Sequence, residues 1–302
     1  MNHKTCSRLL VPIVALLLTP HVWARQASPP KPSKQIINAI TTGDWNQVRT
    51  ESIAWASRDP RSEIALFLAD VSTSVTRDFD TKFKILTNYD YPYSEASARD
   101  RIAAWVDSLL KANDRNANYL ILKAALQIKG FENMRTATGL FEQAREFAPD
   151  NEFILINLGN SYGSANRSKD AKEVFDKVLR NNPSSAGALN GLGMLAMSRR
   201  DMTKALSMFQ RAVKANGAGP MEWFNLGSLY YYQKRLQEAR QALEKAIDLS
   251  PKMIEARFNL AGKYYALGRK SDCIKQLRRI VDIAPTSKTG TRARNNLRSL
   301  GG

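Results

Sequence analysis

Proline recurs in the second half of this chain at a fixed interval of 34 residues. Four prolines lie 34, 68 and 34 residues apart: Pro149, Pro183, Pro251 and Pro285. Gly217 stands at the one missing position. Eight residues before each of the five positions lies a large apolar residue: Phe141, Phe175, Phe209, Leu243 and Leu277. A period of this length indicates an array of helical hairpins, none of which can bury its apolar face alone.

Small residues follow the same period at two further positions. Twelve residues before each of the five positions the chain has Ala137, Ala171, Ala205, Ala239 and Cys273. Twenty-four residues before them it has Ala125, Gly159, Gly193, Gly227 and Ala261. The distance between packed helices depends on the side chains at their contact, so small residues at fixed points predict closely packed pairs.

Residues 220–253 show how one copy is built. Its first helix carries small and apolar residues at the spacing i, i+3, i+4 and i+7, which is one helical face: Trp223, Leu226, Gly227 and Tyr230. Its second helix has the pattern i, i+4 and i+7: Ala239, Leu243 and Ala246. Pro251 ends this helix, because proline has no N–H and restricts the residue before it.

These motifs resemble tetratricopeptide repeats, and residues 223–230 match the family pattern Trp-x-x-Leu-Gly-x-x-Tyr. Ala124 and Ala125 depart from it, since they stand where Leu-Gly is typical. The resemblance implies an all-α fold, an α-solenoid in which helical hairpins form a right-handed superhelix. It also implies a protein-binding scaffold rather than an enzyme. Five units are predicted: 118–151, 152–185, 186–219, 220–253 and 254–287.

The segments beside the array have a less regular pattern. Residues 25–34 are rich in proline and polar residues, and we expect a disordered or extended leader there. Residues 35–117 contain helical patterns without the 34-residue register, broken at 88–94 by a predicted loop. We expect irregular, degenerate hairpins that cap the first end of the array. Residues 288–302 are expected to form a capping helix at the other end.

Residues 1–24 have the pattern of a cleavable secretory signal peptide. Lys4 and Arg8 precede an apolar run at 9–18, and small residues lead to Ala24, where we expect cleavage. The apolar run is too short to span a bilayer, so no transmembrane segment is expected after cleavage. An uncleaved anchor or a buried helix is the alternative. Export predicts a periplasmic protein.

Composition excludes several kinds of active site. His3, His21 and Cys6 all lie within the predicted signal, so the mature chain would have no histidine and one cysteine. A Ser-His-Asp triad, a Cys-His pair and a histidine zinc site are then excluded. Cys273 occupies a small apolar position of the repeat, and a reactive or metal-binding thiol is the alternative. No catalytic set, metal or cofactor is predicted.

A second stripe runs along the first helices, roughly opposite their packed face. In tetratricopeptide-repeat proteins this stripe lines the inside of the superhelix, and here it is aromatic, methionine and asparagine with few charges. We predict that it binds an extended or helical segment of another protein. The candidate residues are Phe153, Asn157, Asn160, Asn190, Met194, Phe224, Asn225, Tyr231, Phe258, Asn259 and Tyr265.

Asparagines recur within this stripe. Asn157, Asn225 and Asn259 share one position of the repeat, and Asn190 lies one residue away from it in the unit between. The pattern resembles the asparagine ladder that grips peptide backbone in some arrays of this family. The alternative is that these side chains only solvate a groove or contact neighbouring hairpins.

Positive charge is concentrated in the array. Residues 25–117 carry 13 Lys and Arg against 12 Asp and Glu, a net charge of +1, whereas residues 118–302 carry 30 against 16, a net charge of +14. Such a surface can attract anionic lipid, acidic polysaccharide or an acidic protein. A solvated face is the alternative, and export argues against nucleic acid as a partner.

Three functions remain open at this point. By family analogy the first is a periplasmic scaffold in the assembly of a secretion, pilus or exopolysaccharide system. The second is a basic-surface binder of anionic envelope lipid or polysaccharide, for which we expect strong salt dependence. The third, an enzyme, is disfavoured because no catalytic residues are found.

Overall fold

A computed structural model of the chain describes residues 31–78, 95–130, 132–285 and 287–301. The predicted signal peptide, residues 25–30 of the predicted leader and the predicted loop at 88–94 lie outside these residues. The chain divides into two units, Met1–Lys31 and Pro32–Gly302, and all the helices below belong to the second. The described residues contain fifteen α-helices and no strand, which confirms the predicted all-α class.

Four helices precede the array. They are α1 (Lys34–Thr42), α2 (Trp45–Arg58), α3 (Glu63–Val75) and α4 (Ala96–Ala112). Side-chain oxygens accept hydrogen bonds from backbone N–H groups at the starts of the first three helices, which satisfies donors that have no partner inside the helix. These capping residues are Ser33, Asp44 and Ser62. These caps explain why α1, α2 and α3 begin where they do.

Ten helices form five consecutive hairpins, and one more helix follows them. The hairpins are α5 (Ala117–Lys129) with α6 (Met134–Phe147), α7 (Glu152–Ser164) with α8 (Ser168–Asn181), α9 (Ala186–Ser198) with α10 (Met202–Lys214), α11 (Pro220–Tyr232) with α12 (Leu236–Leu249), and α13 (Ile254–Ala266) with α14 (Lys270–Ile283). The last helix is α15 (Lys288–Ser299). We number the hairpins as units 1 to 5.

In every unit, the residue at one fixed position of the turn has a left-handed backbone conformation. Five positions 34 residues apart have positive φ angles: Glu132 (52°), Asn166 (62°), Arg200 (61°), Lys234 (60°) and Gly268 (71°). Side chains disfavour this conformation, because Cβ then comes too close to the following carbonyl oxygen. Only the last unit has a glycine there, so the surrounding helices hold the other four residues in place.

Phenylalanines pack against the small residues that recur in the sequence. The ring of Phe175 is buried between α7 and α9, and a Cβ atom added to Gly159 would lie 2.5 Å from it. One added to Gly191 would lie 2.2 Å from its Cζ atom. In the next unit Phe209 packs in the same way, 2.5 Å from a Cβ atom added to Gly193. The absent side chains leave space for the rings.

The buried core of Pro32–Gly302 consists of three clusters. The first extends from Ile36 to Leu195 and joins the first four helices to units 1 and 2 and to α9. The second is small and lies between units 3 and 4: Ala196, Ala205, Phe209, Leu226 and Leu229. The third extends from Leu243 to Leu297 and includes α15. Among the described helices we find none long and apolar enough to cross a bilayer.

Candidate functional site

A concave groove runs across the first helices of units 2, 3 and 4, namely α7, α9 and α11. Its volume is about 530 Å³. Four of the residues predicted for binding line it: Asn160, Asn190, Met194 and Asn225. The other predicted residues lie on α7, α11 and α13 but do not line this cavity: Phe153, Asn157, Phe224, Tyr231, Phe258, Asn259 and Tyr265. Below, "the groove" means this 530 Å³ cavity.

Glycines contribute to the lining of the groove. Gly163, Gly187 and Gly191 all line it, and the last two are buried. A Cβ atom added to Gly163 would make an ordinary contact, 3.6 Å from Leu195. A Cβ atom added to Gly187 would clash with Ile156, and one added to Gly191 would clash with Phe175. Ile156 and Phe175 therefore cover the backbone at Gly187 and Gly191, and of these three glycines Gly163 is the one that leaves room beside its helix.

The asparagines of the groove differ in how far they are available. The Asn225 side chain donates a hydrogen bond of 2.9 Å from Nδ2 to Oδ1 of Asn190, which joins α11 to α9. Asn225 is only 8% exposed, so most of it serves this contact between units. Asn157 donates to the carbonyl of Phe153 in its own helix, at 2.8 Å. Asn160 is exposed on the groove surface.

Arg77 enters the groove from the segment that follows α3. Its Nε atom donates to the carbonyl of Gly217 at 2.7 Å, and its Nη2 atom lies 2.8 Å from Oε1 of Glu222. Glu222 is 4% exposed, and its Oε2 atom also accepts a hydrogen bond of 2.8 Å from the backbone N–H of Gly219. Charge-assisted bonds of this kind are stronger than neutral ones.

Sequence reasoning missed both members of this ion pair. Arg77 and Glu222 are 145 residues apart, and neither belongs to the periodic pattern. The one local signal was Pro220, which begins α11 at a position where proline is favoured and so places Glu222 in the first turn.

Cations lie against aromatic rings beyond the groove, in units 4 and 5. The Lys263 Nζ atom is 3.2 Å from the ring centroid of Tyr231, and the Arg292 guanidinium is 4.5 Å from that of Phe258. Lys263 is 4% exposed, and this burial lowers its pKa to about 8, because a charged amine loses its hydration. Tyr231 and Tyr265 remain exposed.

Packing and ion pairing account for Cys273 and for several basic side chains of the second helices. Burial raises the pKa of the Cys273 thiol, which keeps it protonated in its position among the third core cluster. Several lysines and arginines of the second helices pair with carboxylates; Lys177 lies 3.0 Å from Asp150, for example. Within the described ranges, no cluster of three His, Cys, Asp or Glu residues could hold a metal ion.

Family models recognise the array. A model described as tetratricopeptide repeat matches residues 156–220, and a second model with the same description matches residues 230–293. Together they cover units 2 to 5 in large part. Comparison of the sequence with curated proteins finds no match.

Solved structures with a similar fold include three helical-repeat proteins. The APC/C hetero-tetramer Cut9–Hcn1 has 17% identity and a TM-score of 0.59, and the match covers 85% of this chain and 47% of that chain. Yeast Tom70 has 16% identity and a TM-score of 0.56, with 85% and 59% covered. A tetratricopeptide repeat protein from Parabacteroides merdae has 14% identity and a TM-score of 0.54, with 85% and 94% covered.

At these identities the likeness shows the fold alone, and this chain spans about half the length of the Cut9–Hcn1 chain that it matches, 47%. The fold of these solved structures agrees with the helix pairs and the glycine positions of this chain, and with its two family matches. This chain contains tetratricopeptide repeats, which the two family models place at residues 156–220 and 230–293.

Proposed function

We propose that this protein is a non-catalytic scaffold that binds an extended segment of another protein in the groove. Tetratricopeptide repeats indicate a protein–protein interaction scaffold. The observation that carries the proposal is the composition of the groove: the amide side chains of Asn160 and Asn190 beside the exposed Met194. Amides both donate and accept hydrogen bonds, which suits the backbone of an extended peptide.

The size of the groove fits a short segment. Packed helices lie about 8–10 Å apart, so three first helices span roughly 20 Å. An extended chain advances about 3.3 Å per residue, and about five or six residues would cross the groove. Arg77 supports this proposal, because the groove already holds one side chain from a distant part of the same chain.

A photo-crosslinking experiment tests the groove. p-Benzoylphenylalanine replaces Met194 in the groove or, as the matched control, Ser207 on the exposed surface of α10 in the same unit. We expect crosslinks to one discrete protein from position 194 and not from position 207. Asn160→Arg would fill the groove and should remove that crosslink while circular dichroism stays unchanged. Equal crosslinking from both positions, or no effect of Asn160→Arg, would refute the groove.

We further propose that the protein is exported and acts in the cell envelope, in assembly of a secretion, pilus or exopolysaccharide system. The signal-like pattern of residues 1–24 supports export, and family analogy supports assembly. Cell fractionation and N-terminal sequencing test export. We expect a periplasmic protein whose first residue lies at or near Arg25. A cytoplasmic protein that retains residues 1–24 would exclude the envelope.

The alternative is that the basic surface, with a net charge of +14 over residues 118–302, binds anionic envelope lipid or polysaccharide. It predicts binding that weakens as salt shortens the screening length to about 10 Å or less, and that tolerates Asn160→Arg. If the wild-type protein still captures a partner protein at high salt and the Asn160→Arg variant does not, the result supports binding in the groove instead.

A further inference from the structure

The large apolar position of the first helix changes character in unit 5. The four earlier units have Ile121, Leu155, Leu189 and Trp223, and unit 5 has Arg257. The second helix changes at the same point, since the earlier units have Leu140, Val174, Met208 and Ala242, and unit 5 has Gln276. A pair of apolar positions has therefore become an arginine and a glutamine.

The two polar residues bind each other. Arg257 donates from Nη1 to Oε1 of Gln276 at 2.8 Å and from Nε to the carbonyl of Pro251 at 2.8 Å. Both acceptors are neutral. Arg257 is only 8% exposed and forms no ion pair with any carboxylate of the described residues. A buried charge without an opposite charge is costly, so the site calls for an anion.

The surroundings of Arg257 are positive. It lines a surface cavity of about 370 Å³ together with Lys275, Arg278 and Arg279 of α14. The carboxylate in the lining is Asp282, which lies 3.9 Å from Arg279, and both of these side chains are more than half exposed. Four cations against one anion give the lining a net charge of +3. Desolvation and the charge of Arg279 both lower the pKa of Arg257.

Equivalent cavities in other units are less positive. In unit 2 the cavity beside Leu155 and Val174 has three cations and two anions: Arg145, Lys177, Arg180, Glu146 and Glu173. In unit 4 the cavity beside Trp223 and Ala242 has two cations and one anion: Lys214, Lys245 and Glu238. The net charge is +1 in both. The excess positive charge of unit 5 is therefore not a general property of the repeat.

We propose that the cavity of unit 5 binds an oxyanion of the phosphate class, with Arg257 as its buried ligand and Lys275, Arg278 and Arg279 around it. The Arg257 Nη2 atom forms no hydrogen bond within the described part of the chain, which leaves its donors for the ligand. A planar guanidinium suits phosphate oxygens. The cavity is larger than the roughly 30 Å³ that a water molecule occupies. This inference does not depend on the groove.

Thermal unfolding of the full chain in sodium phosphate and in sodium chloride, at equal ionic strength, tests the site. A ligand that binds the folded state raises its stability in proportion to occupancy. We expect a saturable increase in Tm that is specific to phosphate. The double variant Arg257→Leu, Gln276→Val recreates the apolar pair of unit 2. It should fold, yet bind phosphate at least tenfold more weakly.

Two controls make the result decisive. Lys177→Ala removes the unit 2 counterpart of Arg279 and should leave the phosphate response unchanged. An equal phosphate response in the wild type and the double variant, or none in the wild type, would overturn the proposal. Co-sedimentation with phosphatidylglycerol and phosphatidylcholine vesicles separates the sources: Arg257-dependent binding to the former indicates a lipid phosphate, and phosphate binding without it indicates a free phosphate ion.

Discussion

Phe175 shows why the chain tolerates so many helical glycines. Its ring fills the space that side chains of Gly159 and Gly191 would otherwise occupy. A glycine inside a helix costs roughly 1 kcal/mol relative to alanine, so three or four of them must be offset by close packing. The ring of Phe175 supplies that packing for Gly159 and Gly191, because burying a phenylalanine side chain contributes about 1.5–3 kcal/mol, against roughly 2 kcal/mol for the two glycines.

Gly191→Ala and Gly163→Ala form a matched pair that tests this balance. A Cβ atom on Gly191 would lie 2.2 Å from Phe175 and must displace the ring, whereas one on Gly163 would lie 3.6 Å from Leu195. We expect Gly191→Ala to destabilise the protein by about 1–3 kcal/mol. Gly163→Ala should be neutral or stabilising by up to about 1 kcal/mol. Urea unfolding measures both; a similar loss in each would mean that Phe175 does not limit the space.

Lys263 predicts a rise of stability with pH. Burial lowers its pKa from 10.5 to about 8, so between these values the unfolded chain holds a proton that the folded chain has lost. Stability therefore increases as pH rises through this window. Between pH 8 and pH 10 we expect Lys263 to raise the free energy of unfolding of the wild type by about 2 kcal/mol. The Lys263→Met variant should lack this rise.

The comparison stops at pH 10 for a physical reason. Burial and the Glu244 carboxylate raise the pKa of Tyr264 to about 12, so above its ordinary value of 10 that phenol opposes the lysine. Lys245→Met, at an exposed lysine, is the control and should follow the wild-type curve. Parallel curves for wild type and Lys263→Met, from chemical denaturation at each pH, would show that the amine is not desolvated.

In units 2, 4 and 5 a tyrosine near the end of the first helix bonds to the preceding unit. Tyr162 donates to Glu142 at 2.8 Å and Tyr264 donates to Glu244 at 2.6 Å, each reaching the second helix of the preceding unit. An arginine five residues further on covers each ring, at 4.2 Å for Arg167 and 4.7 Å for Arg269. Unit 3 lacks both residues, since Ala196 and Asp201 stand at these positions.

Tyr264→Phe measures the strength of one junction. Loss of a hydrogen bond to a charged group costs about 1.5–3 kcal/mol. We place the loss near the lower end, because Arg240 also binds Glu244, at 2.7 Å. Tyr265→Phe is the control, since this neighbouring phenol is exposed and has no hydrogen bond among those described. Unfolding midpoints that fall equally in both variants would show that the Glu244 bond contributes nothing specific.

The whole array need not unfold at once, because its core is divided. The first and third clusters are separate, and the five residues of the second, around Phe209, lie between them in the array. Arrays whose units contact mainly their neighbours open in segments. The chain should therefore separate near unit 3, where the junction tyrosine is also missing.

Hydrogen exchange tests this division. We expect amides of α13 to α15 to exchange faster than those of α5 to α8, because the third cluster is the smaller and lies at an end. Phe209→Ala should widen the difference, at a cost of about 3–5 kcal/mol. One uniform protection level along all described helices, unchanged in this variant, would indicate a single cooperative unit instead.

The 34-residue periodicity predicted the array well, because the same packing contacts determine the recurring residues and the helix pairs. Glycine at 159 and phenylalanine at 175 are required by the same contact, so the residues reveal the helices. The left-handed residue in each turn was missed: Asn166 and Gly268 favour that conformation, but Arg200 and Lys234 are ordinary side chains held there by the helices. The groove was predicted in part, because helical spacing gives the face of Asn160 but not the bond that occupies Asn225. Arg77 could not be predicted, because no local rule relates it to Glu222.

A solenoid of stacked hairpins behaves like a coiled spring, since its turns separate a little when its ends are pulled. The Arg77–Glu222 pair fastens the segment after α3 to α11, across 145 residues of sequence. Extension of the turns between these two points would first have to break an ion pair whose carboxylate is buried, whereas the Arg240–Glu244 pair of α12 spans a single helical turn. We therefore expect the turns up to α11 to resist extension and the turns from α12 onward to separate first. Under tension the protein would stretch at its C-terminal end while the groove keeps its width.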